Sequence, residues 1–336
     1  MRYAVGSYTA KGGPGVAVVE AGEREVRLLD ASRAVAKPTW VLPSEKQPVI
    51  FSTGADWETG EGLAASFAWE NGRLRLLSRQ LSRGLSCCHL CLGEQERFLY
   101  AANYMTGTVA VFPLMQGMIQ PMIQLAALEG PLGPNPKRQE RHHAHQCTFR
   151  PGTQELFVCD LGGDQVVIYD AQADGTLRQR DAISCPPGTG ARHLVFDGPD
   201  RFYLAGELEG WAMTFEYAEG KWACRQCLST LPKGYQGPEN KAAAIRMDDG
   251  QVVISNRGHD SLAVFDRLPD HTLRFACWLP TPGAVPRDFR MTQGRFLLAQ
   301  EQGGGIAWMA RNGAYGPALD VPETVCVSPL PAWGQA

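Results

Sequence analysis

Apolar residues in this chain come in short runs separated by Gly-bearing polar turns. Seven segments repeat one pattern, an apolar run, a short polar loop and a second apolar run: 2–19, 49–69, 98–112, 156–169, 202–215, 252–265 and 296–309. Runs this short, bounded by turn residues, predict strands and not helices. The loops open at Gly6, Thr53, Asn103, Asp160, Gly206, Asn256 and Gln300, at intervals of 47, 50, 57, 46, 50 and 44 residues. A strand-type period near fifty predicts sheets repeated around an axis, an all-β seven-bladed propeller.

The fourth repeat shows the unit most clearly. Strands are predicted over 145–150, 156–160, 165–170 and from 177 onward. Pro151-Gly152-Thr153, Gly162-Gly163-Asp164 and Asp174-Gly175 turn the chain between them. Each blade therefore has four antiparallel strands. The N-terminus supplies only three before Lys37-Pro38-Thr39-Trp40 opens the next blade. The apolar stretch 323–330 is expected to return as the missing innermost strand of the first blade, leaving no open edge there. Residues 1–336 then form a single domain.

Composition narrows the function. Gly 37 and Pro 23 suit many tight turns, and charged residues make up only 20%. A net charge of −3, with no basic stripe, argues against a nucleic-acid partner. The chain enters strand-like sequence at Met1-Arg2-Tyr3-Ala4-Val5, so no leader is expected and a cytoplasmic location is. No apolar run reaches membrane-spanning length. A monomer is expected, because a closed ring needs no partner. Ten cysteines include Cys224 and Cys227 in a C-x-x-C, and Cys87, Cys88 and Cys91 around His89. Without a second matching pair they read as reduced, buried thiols and no metal site. No cofactor motif stands in a suitable context, so no cofactor is expected.

Antiparallel geometry puts the start of strand one and the end of strand two of every blade on the same face. The starts carry His89, His143, His145, Arg192, His193, Arg287 and Asp288. The ends carry Asn103, Asp160, Glu207, Asn256, Arg257 and Glu301. Consecutive blades thus bring His143, His145, Arg192, Glu207 and Arg257 to one sector. Structural alternatives stand beside the functional ones: Arg192, or Arg287 with Asp288, as locks between blades, Glu207 as an exposed loop acid, Asn103, Asp160 and Asn256 as turn formers, and either histidine as a satisfied loop residue.

In order and at blade spacing, the chain carries Val5-Gly6-Ser7-Tyr8-Thr9, Ala102-Asn103-Tyr104, His143-Ala144-His145, Asp160-Leu161-Gly162-Gly163-Asp164, Gly190-Ala191-Arg192-His193, Glu207-Leu208, Asn256-Arg257-Gly258-His259-Asp260 and Pro286-Arg287-Asp288-Phe289. In these it resembles the seven-bladed propeller lactonases of the 6-phosphogluconolactonase type and, more distantly, the fungal carboxy-cis,cis-muconate cyclases. The resemblance implies hydrolysis of a small anionic lactone, most simply 6-phosphogluconolactone, at a metal-independent site. By motif, Glu207, His143, Arg192 and Arg257 would be catalytic. On chemical grounds Glu207 is expected as general base, with His143 as the alternative base or as the group that orients the water or protonates the departing ring oxygen. His145, His193, Arg287, Asn103 and Asp160 would bind substrate. The chain departs from the family pattern at His142, Ala191, Gly206, Ala244 and Thr53-Gly54-Ala55. Muconate-type cycloisomerisation, or ligand or protein binding without catalysis, are the alternatives.

Overall fold

The computed structural model describes residues 1–292 and 294–335. Seven antiparallel sheets stand around one axis. Blade four consists of Ala144–Phe149, Glu155–Asp160, Gln165–Ala171 and Leu177–Ser184, within a residue of the boundaries expected for its first three strands. Blade three departs slightly from the plan: two short segments, Met118–Ile119 and Gln124–Ala127, share the outer edge of Thr108–Met115. The ring closes as expected. Thr324–Pro329 pairs with Arg2–Ser7, with Tyr3 opposite Pro329 and Val5 opposite Val327.

The core lies between neighbouring blades. Phe157, Leu194, Phe202 and Phe215 fill the seam between blades four and five. Tyr3, Val5, Leu297, Trp308 and Val327 fill the one between blades seven and one. Val327 is fully buried, and burial of a valine stabilises by about 1.5–3 kcal/mol.

One irregularity positions the site. In six blades the inner strand carries an extra residue near one mouth of the channel. Register skips Cys88 between Cys87 and His89, His145 between Ala144 and Gln146, and Arg192 between Ala191 and His193. It likewise skips Arg287 between Pro286 and Asp288, and Val325 between Thr324 and Cys326. A β-bulge leaves its extra residue unpaired and re-aims its side chain. Here the bulges form a layer of inward-facing side chains. Blade six has the same irregularity between Ala242 and Ile245, where only alanines stand.

Candidate active site

A cavity of about 620 Å³ opens at the bulged mouth, with Tyr8, Lys37, Tyr104, Arg138, His145, Glu207, Lys241, Arg257 and Arg287 in its wall. Glu207 is its electrostatic centre. Its backbone N–H donates to the Gly190 carbonyl at 2.9 Å, fixing the turn that carries it. Arg138 Nη2 donates to Oε1 at 2.6 Å, and Arg257 Nη2 to Oε2 at 2.8 Å. Arg192 Nε is also 2.8 Å from Oε2, as an ion contact without hydrogen-bond alignment. Both carboxylate oxygens are thus engaged by guanidiniums, and the side chain is only 4% exposed. Burial works to raise the Glu207 pKa, but Arg257, Arg192, His145 and Arg138 outweigh it and hold the carboxyl well below its ordinary range. Such a carboxylate is a firm anion and a weak proton acceptor.

Arg192 and Arg257, which share one carboxylate oxygen, are correspondingly short of counter-charge. Arg192, 2% exposed, is lowered to about 9 by burial and then by the neighbouring Arg257. It remains a cation at neutral pH, and an incoming anion would relieve it. Arg257 is lowered as well, burial again first. Arg287 has Glu301 at 3.4 Å and lies 5.8 Å from the centre of the Tyr8 ring.

His145 Nε2 is 3.9 Å from Glu207 Oε2. Burial, then Arg192, hold this imidazole well below 6.5, so it is neutral at pH 7. His143 takes a different place. Its ring stacks on Tyr104 at 4.3 Å, its Nδ1–H donates to the Tyr104 carbonyl at 2.9 Å, and it stands behind the tyrosine, outside the cavity wall. Tyr104 in turn meets the His145 ring edge-on at 5.4 Å. His193 lies one layer deeper, edge-on to His145 at 5.1 Å.

Asn103 and Asp160 are engaged within the fold. Asn103 bonds Ser82 and Thr108. Asp160 accepts from the backbone N–H groups of His143 and Gly162 and from His142 Nδ1 and Gln165 Nε2. Both side chains are fully buried away from the cavity. Asp288 pairs with Arg246 across the seam between blades six and seven. Cys88 does line the cavity, but burial pushes its thiol up to about 12, so it is not a thiolate nucleophile. Among the described residues, no three of His, Cys, Asp and Glu are grouped so as to hold a metal ion.

Arg138, Lys37 and Lys241 also line the cavity, although no repeat position or motif marks them in the sequence. Arg138 sits on the connection between blades three and four, which folds back over the mouth. Its Nη2 also donates to Tyr104 Oη at 3.1 Å. Gln139 Nε2 anchors this connection to the Leu161 carbonyl at 2.9 Å. The approach is close: a Cβ at Gly162 would lie 1.8 Å from the Arg141 carbonyl oxygen, so glycine is required there.

The buried imidazoles carry a stability prediction. His89, His145 and His193 are all held well below 6.5, chiefly by burial and then by neighbouring guanidiniums. Their stabilising contribution is complete above about pH 6.5, the unfolded value. Below it the unfolded chain binds protons that the folded protein refuses. Each histidine then removes up to ~1.4 kcal/mol per pH unit until its folded pKa is reached. Thermal melts are expected to fall steadily from pH 7 to pH 5, and a flat profile would contradict the neutral-histidine assignment.

Fold and cavity together define an enzyme of the propeller class with a cationic pocket on its axis. The chain belongs to the lactonase family: the family model described as "Lactonase, 7-bladed beta-propeller" matches residues 2–329. The 6-phosphogluconolactonase of Bacillus subtilis is 32% identical over 336 residues, covering 96% of this chain and 95% of that protein. Among solved structures, the periplasmic gluconolactonase of Pseudomonas aeruginosa superposes with a TM-score of 0.88 at 26% identity, covering 97% of this chain and 98% of that one. A Lactobacillus plantarum protein gives 0.87 at 28% identity with the same coverage. The protein is accordingly a lactone-hydrolysing enzyme.

Proposed function

We propose that the enzyme opens an anionic sugar lactone, 6-phosphogluconolactone or one of very similar shape. The observation that carries this reading is the charge of the cavity wall. Lys37, Arg138, Lys241, Arg257 and Arg287 face Glu207 and Glu323, in a protein whose overall charge is −3. A net cationic pocket in a net anionic protein selects an anion by field and by direct hydrogen bonds. Lys37, Lys241 and Arg287 are assigned to the phosphate. Arg257, in the cavity wall, is assigned to the oxyanion, and Arg192, buried behind Glu207, adds its positive field there.

In this mechanism the neutral His145 takes a proton from water, in place of the base role expected for Glu207 and the water-orienting role expected for His143. The water oxygen bonds to the lactone carbonyl carbon, and negative charge develops on the carbonyl oxygen facing the guanidiniums. The ring C–O bond then breaks, and His145 returns its proton to the departing alkoxide, leaving a hydroxy acid. Substrate binding favours the first step. Burial is the first cause that depresses the imidazole; an anion among the arginines offsets the second, the field of Arg192, and Glu207 stabilises the imidazolium as it forms. The enzyme is taken to work as a monomer, because one chain supplies every group. A cytoplasmic location remains our proposal; the ten free cysteines suit a reducing compartment.

Assaying 6-phosphogluconolactone beside unphosphorylated gluconolactone tests the reading. Charge-assisted bonds to the phosphate predict at least a roughly tenfold higher kcat/KM for the phosphorylated compound. Equal turnover would remove phosphate recognition and leave a general sugar lactonase. Inertness towards both would remove the substrate class.

A further inference from the structure

Beneath the cavity floor, at the level of the bulges, lies a second, very small void of about 10 Å³. Trp40, Cys88, His145, Arg192, Asp288 and Val325 contribute to its wall. Such a volume is close to what a single water needs, roughly 10–15 Å³. Three wall residues carry a buried polar atom without a hydrogen-bond partner: Arg192 Nε, which has its ion contact with Glu207, and Trp40 Nε1 and His145 Nδ1, which have none. Trp40 is 8% and His145 6% exposed. An indole N–H can only donate, and leaving it unpaired in the interior is costly. Asp288 supplies the complementary acceptor. Oδ1 pairs with Arg246 and Oδ2 accepts from the Val327 N–H at 3.1 Å, which leaves further lone pairs. The Cys88 thiol is already directed at the Ala144 and His145 carbonyls.

We infer that this void is a structural water site, in which one water accepts from Trp40 Nε1–H and from His145 Nδ1–H and donates to the Asp288 carboxylate. The two donors fill the lone pairs of the water, and the carboxylate takes one of its hydrogens. His145 is thereby held as the Nδ1–H tautomer, and its Nε2 lone pair faces the cavity, where guanidiniums outnumber Glu207. A catalytic imidazole needs this partner on its far side to fix its orientation and tautomer. Trp40 is then a positioning residue, acting through the water from the blade opposite Glu207. The inference deepens the role proposed for His145 and, in its kinetic consequence, rests on it.

The test begins with nitrogen NMR of histidine-labelled protein at pH 7, together with a high-resolution crystal structure. The expected wild-type result is His145 protonated at Nδ1 and bare at Nε2, with one water within hydrogen-bond reach of Trp40 Nε1 and His145 Nδ1. Trp40→Phe keeps a ring against His89 but removes the donor. It is expected to shift the His145 tautomer ratio and to lower kcat about tenfold with KM nearly unchanged. An Nε2–H tautomer in the wild type, or density without that water, overturns the inference. Should Trp40→Phe fail to fold, the wild-type spectrum and density still decide. If the water and tautomer are found in a protein inert towards sugar lactones, the inference stands and the substrate reading fails.

Discussion

His145→Asn is expected to lower kcat on the lactone by roughly 10²–10⁴-fold, the usual contribution of a positioned proton acceptor. KM is expected to change little, because the phosphate and oxyanion contacts belong to other side chains. The pH profile separates this from a packing defect. In the wild type the acid limb of kcat/KM should lie well below pH 6.5, because burial and Arg192 hold the free imidazole down. Activity requires the neutral ring, so it is retained from neutral pH downward and lost only as His145 protonates. In the variant that limb should disappear from the residual rate. A variant within threefold of wild type, or one that keeps the same limb, would return the proton to another group.

The choice between two histidines two residues apart was the point at which the sequence ran out. Strand counting and turn chemistry were enough for the ring, because apolar alternation and Gly/Asp turns are local properties. The closing strand at 324–329 followed from one missing member in the first blade. Blade order also grouped His145, Arg192, Glu207 and Arg257 on one face. Which side chains turn inward is decided instead by bulges, and a bulge is a property of the pairing between two strands. Strict alternation places 143 and 145 on one face, so nothing in the pattern separates them. The extra residue falls at position 145, and His143 is left to support Tyr104.

Arg138 was concealed for a different reason. It belongs to no strand and lies in a stretch rich in Pro and Gly. The one signal was the interval of 57 residues between Asn103 and Asp160, longer than the others. The surplus is a loop long enough to return over the axis and bring a third guanidinium to Glu207. Asn103 and Asp160 show the reverse case. Polar residues at the mouth-side ends of second strands look available for a ligand, but they are the acceptors that fold these connections down onto the blades.

Glu207→Gln is expected to cost both rate and stability, and the combination distinguishes its role. The substitution keeps the shape but removes the charge shared by Arg138, Arg192 and Arg257. Removing one partner from a buried ion pair typically destabilises by about 3–5 kcal/mol, because the remaining charges are left uncompensated. Turnover should fall at least about a hundredfold, through misplaced guanidiniums and loss of the counter-charge to the His145 imidazolium. Inorganic phosphate should distinguish this from ordinary unfolding. An anion that replaces the missing carboxylate binds only the folded state, so it should raise the melting temperature of the variant more than that of the wild type. If Glu207 were simply a proton acceptor, the variant would be slow but would melt close to the wild type, and phosphate would stabilise both alike. The expected result is instead a slow, weakened protein that phosphate partly repairs, since the carboxylate first holds three cations in place and thereby shapes the field in which the lactone opens.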